Sequence, residues 1–96
     1  MLIKAGVDIS RLERNTRRAL TTLEEVWKKY KDEPIITATY DGNHGAGSLH
    51  YANKAFDVRL PKANAASMID ELRRTLGGSF DVIAEKDHIH VELDPK

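Results

Sequence analysis

The chain has 96 residues, room for one modest hydrophobic core, and reads as a single domain over residues 1–96. Fifteen basic residues balance fifteen acidic ones, so the excess of positive charge on which general nucleic-acid binding depends is missing. There is no cysteine, which excludes disulfides and thiolate ligands and leaves nitrogen and oxygen to hold any metal. No apolar run is long enough to span a bilayer, and the N-terminus lacks the apolar core of a signal peptide. The expectation is a protein made in the cytoplasm, with no membrane insertion, that acts outside only if other factors release or deliver it.

Residues 8 to 30 predict an amphipathic helix. Ile9, Leu12, Thr16, Ala19, Leu20, Leu23, Val26, Trp27 and Tyr30 recur at three- and four-residue steps. Ser10 and Glu13 have the spacing of a capping box, and Pro34 is expected to end the helix. Arg11, Arg14, Arg17 and Arg18 interleave with Glu13, Glu24 and Glu25, the pattern of a solvated face rather than a nucleic-acid patch. Ile35 to Tyr40 is a β-branched run suited to a buried strand, and DGNHGAGS at 41–48 is too rich in Gly and Asn for regular structure.

Ala55 to Leu60 alternates, with Phe56, Val58 and Leu60 on one face and Ala55, Asp57 and Arg59 on the other. Asn64 is read as the cap of a second helix whose stripe is Ala65, Met68, Ile69, Leu72 and Leu76, closed by Gly77-Gly78. Two strands finish the chain, Phe80 to Glu85 and His88 to Leu93, joined by a tight turn at Lys86-Asp87. The predicted class is α+β: helices packed on one face of a small, largely antiparallel sheet.

Chemistry gathers on the other face. Ile89, Val91 and Leu93 point towards the helices, so His88, His90 and Glu92 point away from them. If the strands are neighbours, Asp57 and His90 share that face, and His50 can fold over it from the glycine-rich segment. Two imidazoles and one carboxylate with an open fourth position suit a catalytic zinc ion. Glu92, with Glu85 and Asp94, is read as a solvated strand-edge charge, and Trp27 as core. His44 reads as an exposed loop residue within reach of substrate, and Tyr51 as a packing or cleft-border residue.

The run Ser48-Leu49-His50-Tyr51-Ala52-Asn53-Lys54-Ala55-Phe56-Asp57 resembles the S-x-H-x-x-G-x-A-x-D signature of the zinc D-alanyl-D-alanine carboxypeptidase and dipeptidase family. Phage-type L-alanyl-D-glutamate endopeptidases and the Hedgehog signalling domain share that family's zinc-binding fold. Asp87-His88-Ile89-His90 is similar to its second element, an acidic residue three positions before the last metal histidine. The resemblance covers roughly residues 34 to 93. It implies His50, Asp57 and His90 as zinc ligands, Asp87 as general base, and His88 as an alternative acid–base group. Ser48 would support the ligand loop. Apart from the resemblance, Arg59 lies on the Asp57 side of its strand, where it could meet substrate, and Tyr40 reads as a cleft-border or packing residue. The implied reaction is metal-assisted hydrolysis of an amide bond in a peptidoglycan stem peptide.

Two positions depart from the family pattern. Its glycine is Asn53 here, the kind of residue that best tolerates positive φ after glycine. Where many members carry Tyr-Arg, this chain has Tyr40-Asp41, so a positive charge that binds substrate and steadies an oxyanion is replaced by a negative one. That exchange opens a second reading, a zinc-binding relative without activity that serves as a binding or structural module. Asp87-His88-Ile89 also resembles the start of an H-N-H nuclease motif, but the helix that motif needs next is missing from the sequence.

Overall fold

A computed structural model describes residues 1–40 and 53–94, with Tyr40 described by its backbone alone. In chain order the elements are β1 (Leu2–Ile3), α1 (Arg14–Lys29), β2 (Ile35–Tyr40), β3 (Ala55–Arg59), α2 (Ala65–Leu76), β4 (Phe80–Ala84) and β5 (His88–Leu93). The five strands form one sheet in the order β1-β2-β3-β5-β4. Every neighbouring pair is antiparallel except β1 and β2, so the sheet is mixed. Strand β1 was not expected. Its two residues offer no alternation to read; its place is set by Leu2 N–H donating to Pro34 O and Lys4 N–H donating to Ile36 O, each at 2.9 Å.

The first helix begins at Arg14, six residues later than the periodicity predicts, and the capping box does not form. Asp8 Oδ1 accepts from both the Ser10 amide and the Ser10 hydroxyl, so Ser10 is committed to a local turn. Glu13 takes the N-cap position itself, with φ −56° and ψ 149°, and its carboxylate accepts from the amides of Asn15 and Thr16. At the other end the helix stops before Pro34 can act. Lys31 adopts φ 56° and donates to Lys28 O, while Asp32 N–H donates to Trp27 O, the paired bonds of a Schellman motif. Lys28 and Lys29 add favourable charge to that last turn.

The second helix matches its predicted span, but Asn64 does not cap it with its side chain. Its backbone is left-handed, φ 61° and ψ 21°, and its carbonyl accepts the first helical bond from Met68. Gly77 at φ 82° ends the helix in a region that disfavours side chains. One sheet face carries Ile36, Phe56, Val58, Val82, Ile89 and Val91, and against it pack Leu20, Leu23, Val26 and Trp27 of α1 with Met68, Ile69 and Leu72 of α2. Burial of these side chains supplies the main stabilisation. Among the described residues no helix is long and apolar enough to cross a membrane.

Candidate functional site

The site lies on the sheet face that the helices leave. Antiparallel pairing of β3 with β5 sets three residue pairs in a row on it: Ala55 with Glu92, Asp57 with His90, and Arg59 with His88. The strand alternation read from the sequence therefore holds, and Asp57 and His90 are direct cross-strand partners. On the other side of β3, the pairing of β2 slips between Ile36 and Ala38, a bulge that places an extra residue, Thr37, beside Asp57. Bulges of this kind gather next to functional sites, where they re-aim backbone and side chains. The Thr37 hydroxyl donates to Asp57 O at 3.5 Å. The face is not bare: Ala55 is fully buried and Asp57 is only 7% exposed.

The polar side chains here form an alternating acid–imidazole chain. His90 Nδ1 donates to Asp57 Oδ1 at 2.8 Å, and His90 Nε2 donates to Glu92 Oε1 at 3.1 Å. The second oxygen of Asp57, Oδ2, lies 3.6 Å from His88 Nε2. His88 Nδ1 in turn donates to Asp87 Oδ1 at 2.7 Å. Asp87 sits in the turn before β5, so the strand's pleat does not carry it away from His88. Arg59, at the exposed end of the row, stands opposite His88.

Ionised carboxylates only accept, so an imidazole set between two of them is stabilised with a proton on each nitrogen. The pKa of His90 is accordingly raised, first by its bond to Asp57 and then by Glu92, against the opposing effect of burial. That of His88 is raised by its bond to Asp87, with the charge of Asp57 adding to it and burial opposing. The same bond lowers the pKa of Asp87. Ser48, Asp41, His44, His50 and Tyr51 lie outside the described residues, as does the side chain of Tyr40. Of the three expected metal ligands, the structure thus brings together Asp57 and His90. Among the described residues no group of three or more His, Asp or Glu side chains that could hold a metal ion forms.

Glu92 is the residue that the sequence reading undervalued. Strand β5 is flanked by β3 and β4 and is not an edge, and the Glu92 side chain is 15% exposed. The signal was present in the period-two spacing of His88, His90 and Glu92; the order of strands in the sheet was not. No family model, curated protein or solved structure matches the chain.

Proposed function

We propose that the chain is a zinc-dependent peptidase that hydrolyses an amide bond in peptidoglycan stem peptides, of the D-Ala-D-Ala carboxypeptidase or L-Ala-D-Glu endopeptidase type. Its fold is then the Hedgehog-type variant of the α+β class. The observation that carries this reading is the contact of Asp57 with His90 across β3 and β5. A carboxylate oxygen and an imidazole nitrogen at 2.8 Å, on two rigid strands, are donors of the kind zinc accepts in a chain without cysteine. Asp57, His90 and His50 would hold the metal. Bound there, zinc supplies a Lewis acid for the scissile carbonyl and lowers the pKa of water.

Acid–base work falls to the hydrogen-bonded pair Asp87 and His88. The carboxylate accepts a proton from the attacking water, and the imidazolium returns one to the leaving amine. Arg59, across from His88, offers the positive charge that Asp41 cannot, facing a substrate carboxylate or a developing oxyanion. Ser48 supports the loop that carries His50, and Tyr40 borders the substrate.

A second reading follows from Asp41. With a negative charge where the family pattern has arginine, the chain would bind zinc and peptide without cutting. Digestion of purified peptidoglycan with the zinc-loaded protein, followed by mass spectrometry of the released fragments, separates the two. Fragments ending at a D-alanyl or L-alanyl-D-glutamate bond are expected. An uncut wall at high protein concentration, with zinc bound, would leave only the binding module.

A further inference from the structure

We propose that Glu92 is a positioning residue for His90: by accepting the proton of Nε2 it presents Nδ1 to the cation that His90 shares with Asp57. This rests on the zinc-site reading above. An imidazole ligand offers one nitrogen to a metal and must have the other held, because the partner of that second nitrogen fixes both tautomer and ring orientation. In His90 each nitrogen already faces a carboxylate of its own, and only Asp57 is among the expected ligands. Nδ1 faces Asp57 Oδ1 at 2.8 Å and Nε2 faces Glu92 Oε1 at 3.1 Å.

The surroundings of Glu92 point the same way. It lies two residues after His90 on the same strand, hence on the same face, and its side chain is long enough to reach back to the ring. Its register partners are Ala55 on β3 and Asp81 on β4. Alanine offers it no charge, and a like charge directly across an antiparallel pair is unfavourable to the sheet. The contact with His90 gives a mostly buried glutamate at this position a use that neither register partner does.

Three measurements test the assignment on the full chain. In zinc-loaded protein labelled with 15N at histidine, long-range 15N–1H spectra should place the remaining His90 proton on Nε2. A proton on Nδ1 would overturn the proposal, and this readout needs no variant. In competition with a chelating dye, Glu92→Ala should weaken zinc binding about 10- to 100-fold, while Glu92→Gln, whose amide oxygen still accepts, should stay close to wild type. Unchanged affinity in Glu92→Ala, or equal losses in both variants, would contradict a role through hydrogen-bond acceptance. If Glu92→Ala does not fold, Glu92→Gln and the proton position decide. Failure of the wild type to take up zinc would sink the zinc site and this proposal together, whereas the other adverse results sink only Glu92.

Discussion

Asp57 on β3 and His90 on β5 are paired residue for residue across the sheet, and their side chains meet at 2.8 Å although 33 positions separate them in the chain. Two central strands fix both Cα positions, so neither group depends on a loop for its aim. His88 stands near the second oxygen of Asp57 and Glu92 on the far nitrogen of His90. The result is a row of alternating carboxylates and imidazoles, hydrogen-bonded at every step but the 3.6 Å approach of His88 to Asp57.

Asp87 ends that row, bonded to His88 and otherwise turned to solvent. If the pair carries the acid–base steps, Asp87→Ala should keep its zinc yet lose hydrolysis of purified peptidoglycan by about 10²- to 10⁴-fold. Metal content and turnover measured on the same sample give the answer. Undiminished turnover would move the base role to His88 or elsewhere.

Among the described residues the hydroxyl of Thr16, buried in the helix–sheet core, has no hydrogen-bond partner. An unsatisfied buried donor carries a desolvation cost, so Thr16→Val, nearly the same shape, should stabilise the fold by about 1 kcal/mol. Chemical denaturation measures it. A loss of stability would mean that the hydroxyl is satisfied in solution.

Strand β4 is an edge, and its exposed carbonyls can template pairing with another chain. The bond from Glu85 N–H to His88 O sets the alternation of the β4–β5 ladder, which turns the Val82 carbonyl outwards. Arg73 of α2 reaches that carbonyl with Nε at 3.1 Å and Nη2 at 2.8 Å. Arg73→Ala should therefore raise concentration-dependent self-association, with Ile83, 47% exposed on the same strand, adding apolar surface. Sedimentation velocity over a concentration series would show it; profiles identical to wild type would argue that Arg73 does not guard the edge.

The two helices are joined by Lys29 Nζ and Glu71 Oε2 at 2.7 Å. The bond to Lys29 holds the Glu71 carboxyl below its ordinary pKa of 4.5, against partial desolvation. A carboxyl with a depressed folded pKa contributes stability above its unfolded value and loses it as pH falls through the folded one. The stability difference between wild type and Glu71→Gln should thus be constant above about pH 4.5 and shrink below it. Denaturation midpoints measured from pH 7 down to the acid limit test this. A difference that persists unchanged into acid would contradict it.

Much of this architecture was legible in the sequence. Period-two alternation placed Phe56, Val58, Ile89 and Val91 in the core and Asp57, His88 and His90 on the opposite face, and the turn at Lys86-Asp87 falls where it was read. What the sequence left open depends on contacts between distant segments. Two-residue β1 has no periodicity, and the start of α1 turns on whether Ser10 bonds forwards to the helix or backwards to Asp8. The bulge beside Asp57 and the central position of β5, which make Thr37 and Glu92 part of the site, are properties of the assembled sheet.

The most direct test is to count zinc per chain, after loading and gel filtration, in the wild type and in Asp57→Asn, His90→Ala and His50→Ala. One ion per wild-type chain is predicted, with a raised melting temperature because the metal binds only the folded state, and loss of both in each variant. Equal metal in all four proteins, or none in the wild type, would contradict a site built on Asp57 and His90.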